Sequence, residues 1–366
     1  MTPPVASSEM VGPSVPAAPS EAVGSTAPLR PVRLPRRWLL ASLAVLAAAV
    51  VVGVTVGPAG LPWHAVLADI VGLLPGIDIG GGLDGRDAAI LWQLRVPRVV
   101  LGALVGGMLA IAGAGYQGVF RNPLADPYLL GVAAGAGLGA TLAIVSGSGR
   151  ALLPVAAFAG AVVGVAATYA LGRSVGGRST DSLILAGVAV AAFLTAIQTF
   201  VQQRHADTLR EVYGWILGRL LTAGWSDVRA ILPYVVVAAA VILAHRRLLD
   251  VLSVGPAEAD SLGVHAARVR LLVVVAATLG TAAAVSVSGL IGFVGIVVPH
   301  TVRLVAGTSY RIVLPVSAAV GAAFLVTADV VARTLVSPGE LPIGVVTAFV
   351  GAPFFIFVLR TNRRVR

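Results

Sequence analysis

The sequence contains no cysteine and no lysine, and charged residues make up only 11% of its 366 positions. Without cysteine, the chain cannot form disulfides, use thiolate catalysis or hold a metal through cysteine ligands. Without lysine it cannot build a P-loop, because the lysine of that loop must reach the nucleotide phosphates. If ATP drives this protein, another polypeptide must bind the nucleotide. Soluble domains carry about 25% charged residues, so the low charge also disfavours a soluble protein.

Long apolar runs dominate what is present. Hydrophobic residues make up 57% of the chain, and its mean hydropathy is +0.94. Runs of about 20 apolar residues match the roughly 30 Å hydrocarbon core of a bilayer. We therefore predict an all-α polytopic membrane protein with ten transmembrane helices. The predicted spans are 38–57, 95–117, 126–146, 151–172, 182–203, 228–245, 269–288, 290–306, 312–334 and 342–360.

Three segments outside these spans have their own character. Residues 1–35 are rich in Pro, Ser and Ala and lack an apolar period, which predicts a disordered N-terminal tail before a membrane domain at 36–366. A cleaved signal peptide is the alternative, but the leader is long and has no A-x-A-like site. Residues 58–89 read as a loop, and 205–227 as a short amphipathic or re-entrant helix.

The net charge of +10 comes from arginines alone. They cluster between apolar runs, as topology signals do, rather than along one face as in a nucleic-acid-binding protein. An even number of spans puts both termini on one side, and the positive-inside bias predicts that this side is the cytoplasm. The chain is then expected to lie in membrane lipid and not to bind nucleic acid.

Three arginines run against this bias, because the same orientation places Arg95, Arg98 and Arg333 outside. A guanidinium at the end of a stable helix can grip a carboxylate through two hydrogen bonds. We predict that these side chains dock acidic residues of a partner, with interfacial snorkelling as the alternative. Asp329 lies four residues before Arg333 on the same helical face, which favours a local ion pair over a proton relay.

Five segments carry a resemblance to a known family. They are "RVPRVVLGALVGGMLAIAGAGYQGVFRNPLADPYLLGVAAGAGLGA", "LILAGVAVAAF", "SGLIGFVGIVVPHTVRL", "LVTADVVAR" and "ELPIGVVTAFVGAPFFIFVL". In this order they resemble the iron-chelate and cobalamin (FecCD-type) permease family of bacterial ABC importers. The resemblance runs from about Trp38 to the C-terminus. It implies the ten-helix, cobalamin-permease-like type II ABC importer fold.

The resemblance implies a function and an assembly. The chain would be a permease subunit in the bacterial cytoplasmic membrane and not an enzyme. It would form a homodimer, bind two ATPase subunits on the cytoplasmic face, and receive substrate from an extracytoplasmic binding protein that docks on the three arginines. ATP and Mg²⁺ would be used by the ATPase, so no cofactor or metal is expected here. The implied cargo is an iron chelate, either a ferric siderophore or haem, with cobalamin as the alternative.

Two further elements follow from the resemblance. The polar segment 253–270, which the topology places in the cytoplasm, would be the loop that couples to the ATPase, although a simple solvated connector is the alternative. The turns at "RNPLADP" and "GGRSTDS" would shape a cytoplasmic gate, unless they are ordinary turns. The coupling residues are Glu258, Ala259, Asp260, Ser261, Leu262 and Gly263, and the gate candidates are Asn122, Leu124, Ser179 and Thr180.

Competing functions are disfavoured by specific features. An ion-coupled secondary transporter needs intramembrane acids on its path, and among the predicted spans Asp329 is the candidate. A membrane enzyme needs a clustered nucleophile or metal site, but the five histidines show no ligand spacing, and His300 is predicted to make a structural hydrogen bond. A zinc or manganese ABC permease would be shorter and lack the "R-x-P-R" start. The "GAGYQG" glycines are interpreted as close helix contacts rather than a nucleotide site.

Overall fold

The computed structural model describes residues 36–72, 82–149, 151–174, 180–221, 223–255, 259 and 265–362. All regular secondary structure in these ranges is helical. Seven of the described helices are long and apolar enough to cross a membrane, and three shorter helices are also apolar. The prediction of an all-α chain with ten membrane helices is confirmed in this sense. The predicted tail, 1–35, lies outside the described residues.

The helices are numbered here in chain order. They are α1 Arg36–Thr55, α2 Trp63–Val71, α3 Gly85–Ile90, α4 Val96–Phe120, α5 Val132–Val145, α6 Leu152–Ser174, α7 Thr180–Arg204, α8 Leu209–Ile216, α9 Trp225–Ala244, α10 Arg246–Val254, α11 Ala266–Ser288, α12 Val294–Ala306, α13 Tyr310–Thr334 and α14 Ile343–Asn362.

The second membrane helix is longer than predicted. A five-residue π-helical turn, Leu91–Arg95, joins α3 to α4, so that helix runs without a break over Gly85–Phe120. It starts early because the Asp84 side chain accepts a hydrogen bond from the Asp87 amide at 2.8 Å and caps the first turn. The expectation that 58–89 is a loop was wrong, since this range contains α2 and the start of α3.

Two membrane helices are shorter than predicted, and their non-helical flanks meet. The helix α5 begins only after Gly131, whose φ of 82° is left-handed, and α12 begins at Val294 rather than 290. The Tyr128 hydroxyl donates to the Ile291 carbonyl at 2.9 Å and accepts from the Ile291 amide at 3.1 Å. Non-helical backbone is tolerated in a membrane protein where other protein groups satisfy it, as they do here.

Close helix crossings at α4 position the rest of the bundle. A Cβ added to Gly113 would lie 2.0 Å from the Gly295 carbonyl oxygen, and one added to Gly106 would lie 2.3 Å from that of Gly321. The helices α12 and α13 therefore touch α4 backbone to backbone, as small residues allow. The interpretation of the "GAGYQG" glycines as helix contacts is confirmed at Gly113. Gly292, in contrast, faces open space.

The helix ends lie on two opposite faces of the bundle, called here the start face and the far face. At the start face α1 begins, α4 ends and α13 begins, since a Cβ at Gly118 would meet the Tyr310 ring of α13. At the far face α1 ends and α13 ends beside the beginning of α4. The amphipathic α8 lies at the far face, where a Cβ at Gly289 would meet the Trp215 carbonyl, and confirms the helix expected within 205–227. The short helix α10, which was not predicted, lies at the start face.

Candidate docking and gating sites

Arg98 lies between two carboxylates at the far face. Its Nε donates to both oxygens of Asp329 at 3.0 Å, and its Nη2 donates to Asp329 Oδ1 at 2.8 Å. On its other edge, Nη1 and Nη2 donate to the two oxygens of Glu340 at 3.0 and 2.8 Å. These three side chains are called the Arg98 cluster. It ties α4 to α13 and to the segment that precedes α14.

Arg95 holds the end of α1. Its Nη1 donates to the carbonyls of Val54 and Thr55 at 3.1 and 2.8 Å, and its Nη2 donates to the carbonyl of Ala59. The last carbonyls of a helix have no partner within the helix and carry partial negative charge, so a cation there stabilises the end. Arg95 is only 5% exposed as a result.

Arg333 holds the same helix end from α13. Its Nη2 donates to the carbonyl of Gly53, and its Nε lies 3.6 Å from Asp329 Oδ2. The ion pair predicted between Asp329 and Arg333 is confirmed at that distance. The shorter contacts of Asp329 nevertheless go to Arg98, 231 residues away along the chain.

The structure brings the three sequence-predicted arginines together, but each side chain is bonded within the chain. Arg95 and Arg333 are buried against α1, and Arg98 carries its two carboxylates. Sequence reasoning missed Glu340 and the α1 carbonyls. Glu340 is the acidic residue directly before the last span, which is the signal that would have drawn attention to it.

Two cavities share Arg219 as a lining residue. The smaller, about 180 Å³, is lined by Arg98, Asp329 and Glu340 together with Arg219. The larger, about 710 Å³, lies between α5, α6, α8 and α9, and its polar lining includes Glu211, Asp227 and again Arg219. Arg219 thus separates the two.

At the start face, the chain leaves α4 through the predicted gate turn. Arg121 ends the helix in a left-handed conformation with φ of 51°. The Asn122 side chain then accepts a hydrogen bond from the Leu124 amide at 2.9 Å, a local turn that suits the position before Pro123. Leu124 is 46% exposed. The expected break in the helix at Asn122 is confirmed.

A polar chain that sequence reasoning missed lies behind this turn. Arg303 Nη2 donates to Gln117 Oε1 at 2.6 Å, and Gln117 Nε2 donates to the Gly295 carbonyl at 3.1 Å. Gln117 is 2% exposed. Because buried amides need partners, these bonds fix the second half of α4 against α12.

Asp250 of α10 caps the first turn of α13. Its Oδ1 accepts from the Tyr310 amide at 2.6 Å, and its Oδ2 accepts from the Ser309 hydroxyl at 2.8 Å. The Arg311 Nε lies 3.5 Å from Oδ2. The short helix that leads into residues 253–270 is therefore attached to the membrane helix that ends in the Arg98 cluster.

Most predicted coupling and gate residues fall where little is described. Glu258, Asp260, Ser261, Leu262, Gly263 and Ser179 lie outside the described residues. Ala259 is buried, and its amide donates to the Gly255 carbonyl at 3.0 Å. Thr180 is the first residue of α7.

Among the described residues, no group of three or more His, Cys, Asp or Glu side chains could hold a metal ion. The His300 side chain makes no hydrogen bond to the residues that the structure describes, so the predicted bond is not found there. Its ring instead packs edge-on against Phe354, with the ring centroids 6.1 Å apart.

Comparison with known proteins identifies relatives of this chain. A sequence profile of the FecCD transport family matches residues 43–361. The chain belongs to the FecCD transport family. Its members are permease subunits of ABC importers and are not enzymes, so this FecCD permease is a transporter subunit in a multi-pass membrane fold. The resemblance predicted from the five segments is confirmed.

Individual relatives agree with the family. This FecCD permease is 44% identical to the "Cobalamin import system permease protein BtuC" of Halobacterium salinarum, over 89% of each chain. It is 40% identical to the "Probable iron chelatin transport system permease protein" of Helicobacter pylori, over 75% of this chain and 84% of that one. A solved metal-chelate type ABC transporter in an inward-facing conformation superposes with a TM-score of 0.77 at 29% identity, covering 89% of this chain and 99% of that one.

FecCD permeases work with ATPase and binding-protein subunits. The absence of lysine from this chain fits that division of labour, because the nucleotide phosphates must then be bound elsewhere.

Proposed function

We propose that this FecCD permease carries a metal chelate inward across the bacterial cytoplasmic membrane as the membrane-spanning subunit of a binding-protein-dependent importer. The observation that carries the proposal is the superposition of 89% of the chain on a metal-chelate type transporter. The candidate cargoes are a ferric siderophore or haem, as predicted from the sequence, and cobalamin, which the 44% identity to a cobalamin permease favours.

Reconstituted transport tests this proposal. Proteoliposomes would hold the permease and its ATPase, with the binding protein added outside, and uptake of cobalamin, a ferric siderophore and haem would be compared. We expect uptake of one cargo that requires both ATP and the binding protein. A control uses an ATPase that binds but does not hydrolyse ATP. Uptake that continues with that ATPase would contradict the importer and revive a secondary transporter.

The proposed assembly is a homodimer with both termini and the start face in the cytoplasm. There the segment 253–270 would contact the ATPase, and Asp250 would pass its movement to α13. Because the chain lacks cysteine, single cysteines report sidedness without background. A membrane-impermeant maleimide should label Ala206→Cys only from outside and Ser253→Cys only from inside. The opposite pattern would reverse the orientation.

Docking of the binding protein at the far face, around Arg95, Arg98 and Arg333, is proposed together with this orientation. Of the three arginines, Arg98 is the one that a partner could reach, because Glu340, to which it is bonded, is 21% exposed. Arg95 and Arg333 would support the site by holding the end of α1 in place. Reversal of Arg98 to glutamate should abolish docking and leave ATPase assembly intact, and a complex that still docks would remove Arg98 from the site.

The gate is proposed at the start face, from Asn122, Leu124, Ser179 and Thr180. Leu124 supports it because this apolar side chain is exposed at the turn that ends α4. We expect Leu124→Ala to let cargo leak through without ATP. Leu142→Ala, at a leucine of similar exposure on α5, is the matched control. Equal leak in both variants would place the barrier elsewhere.

A further inference from the structure

One side of α11 carries a stripe of exposed side chains. Most of this helix is buried, but Leu271, Leu272, Val275 and Leu279 are each between 36% and 49% exposed. The stripe continues at Arg268, which is exposed and lies eleven residues before Leu279 on the same helical face. An apolar ridge on α11 therefore ends in a positive charge at the beginning of the helix.

A groove runs along each side of this ridge. Between α11 and α9 the groove has a volume of about 430 Å³, and Val237 of α9 forms part of its wall. Between α11 and α6 the groove measures about 230 Å³, and its wall includes Val162 and Tyr169 of α6. Val275 and Leu279 of the ridge line both grooves. Two apolar grooves that share one ridge match the two acyl chains of a phospholipid in form.

The two grooves are entered from the start face. The beginnings of α6 and α9 and the end of α11 meet at the far face, around the larger cavity, so their other ends lie at the start face. Toward the far face the rings of Phe158 on α6 and Tyr234 on α9 meet, with centroids 5.4 Å apart. Since α11 packs against both helices, this ring pair closes the grooves on that side.

The length of the grooves corresponds to one leaflet of a bilayer. Leu279 lies eleven residues from Arg268 on α11, and Val162 lies eleven residues from Arg173 on α6. At 1.5 Å per residue, eleven residues of helix span about 16 Å. Half of the roughly 30 Å hydrocarbon core is about 15 Å. When the grooves end at the bilayer centre, the arginines therefore lie at the level of the lipid phosphates.

The start-face end of the grooves has an excess of positive charge. The end of α6 and the beginnings of α10 and α11 carry Arg173, Arg246, Arg247, Arg268 and Arg270. Among the described side chains of this face the carboxylates are Asp126 and Asp250. Asp126 accepts from the Tyr128 amide, and Asp250 is bonded to the first turn of α13 and lies 3.5 Å from Arg311. The excess remains when Glu258 and Asp260, which lie outside the described residues, are counted.

Arg270 lies at the groove beside α6. It precedes Leu271, which lines that groove, and its guanidinium is within electrostatic range of the Tyr169 hydroxyl in the same wall. The Nε of Arg270 is buried and has no hydrogen-bond partner among the residues that the structure describes. A buried donor without a partner is costly, and a phosphate oxygen would supply a charge-assisted hydrogen bond.

We propose that the two grooves and the arginines at their end bind one anionic phospholipid of the leaflet at the start face. Its acyl chains lie on either side of the α11 ridge, and Arg268 and Arg270 bind its phosphate. A second copy of the chain suits this face less well, because a two-fold axis along the membrane normal would bring the same arginines together. The inference goes beyond the proposed transport function, since it depends neither on the cargo nor on the binding protein.

Native mass spectrometry of the purified full-length permease tests the charges. The protein is titrated in detergent with phosphatidylglycerol and phosphatidylcholine that have the same acyl chains, and the retained lipids are counted. The double variant Arg268→Gln with Arg270→Gln is compared with Arg36→Gln with Arg37→Gln, which removes the same charge from the same face at the beginning of α1. Inorganic phosphate is added as a competitor that carries the headgroup chemistry without the chains.

We expect the wild type to bind phosphatidylglycerol more tightly than phosphatidylcholine. The Arg268 and Arg270 double variant should weaken phosphatidylglycerol binding about 10- to 30-fold, since two arginines contribute about 1 kcal/mol each near a membrane surface and 1.4 kcal/mol is tenfold. The α1 double variant should bind like the wild type. Equal weakening in both double variants, or displacement of the lipid by inorganic phosphate, would overturn the proposal.

A second pair of variants tests the grooves. Ala166→Trp fills the groove beside α6 and should weaken phosphatidylglycerol binding, whereas Ala167→Trp, at an exposed neighbour outside the groove wall, should not. Thermal midpoints without added lipid show whether each variant is folded. If Ala166→Trp is destabilised, Val237→Trp and Val236→Trp replace the pair, because both valines are exposed and Val237 alone of the two lines the other groove. Unchanged lipid binding in the groove variant would refute the site, and loss of dimer in place of lipid would assign the face to a second copy.

Discussion

Removing the carboxylate of Asp329 should destabilise the far end of the bundle. In Asp329→Ala, the remaining bonded partner among the described residues is the Gly53 carbonyl for Arg333 and Glu340 for Arg98. Truncating one partner of a buried ion pair costs about 3–5 kcal/mol, because the other charge stays buried without it. Since Arg98 retains a second carboxylate, we expect a loss at the lower limit, about 3 kcal/mol. At 2–4 °C per kcal/mol, this lowers the thermal midpoint by about 6–12 °C.

The assay is thermal unfolding of the purified permease in detergent, followed by tryptophan fluorescence. Asp207→Ala is the control, because this aspartate is exposed at the same face, and surface substitutions stay within about 0.5 kcal/mol. Combining Asp329→Ala with Arg333→Met should be less harmful than the sum of the two, with a coupling of about 0.5–3 kcal/mol. A midpoint within about 2 °C of the wild type for Asp329→Ala would refute the reasoning.

Three further predictions concern single contacts, and each is checked by the thermal midpoint. Gly113→Val should cost at least 1–3 kcal/mol, because its Cβ would meet the Gly295 backbone, whereas Gly292→Ala, in open space, should be neutral. Asp250→Ala should cost about 1 kcal/mol through the lost cap of α13 and also slow ATP-driven uptake, whereas Asp207→Ala, at the exposed far-face aspartate, should change neither. Tyr116→Phe loses the 2.6 Å bond to Thr278 and should cost about 0.5–1.5 kcal/mol. Tyr213→Phe, at an exposed tyrosine, is its control. Equal midpoints in any of the three pairs would contradict the corresponding contact.

The membrane helices were predictable because each is encoded locally. A run of about 20 apolar residues is read from a single window, and nine of the ten predicted spans differ from the structure by six or fewer residues at either end. The two largest differences have local causes that hydropathy does not report. The Asp84 cap begins a helix ten residues before the predicted second span. The helix α5 starts late because the residues before Gly131 form turns instead, in which the Tyr128 amide donates to the Asp126 side chain and the Gly131 amide donates to the Tyr128 carbonyl.

The contacts that the arginines make were less predictable from the sequence. The positive-inside bias drew attention to Arg95, Arg98 and Arg333, and the orientation on which it depends stays a prediction. It could not show that Arg95 and Arg333 bond the end of α1, because those partners are backbone carbonyls that look alike in any sequence.

The sequence by itself determined the ten apolar helices, the need for a separate ATPase and the family, because each depends on composition or on the order of long segments. Only the tertiary structure decided which charges neutralise one another. Arg98 meets Asp329 and Glu340 from 231 and 242 positions away, and such pairs form where helix packing brings buried charges together. Burial without a partner is costly in a bilayer, so the fold, rather than the local pattern, assigns each charge its partner.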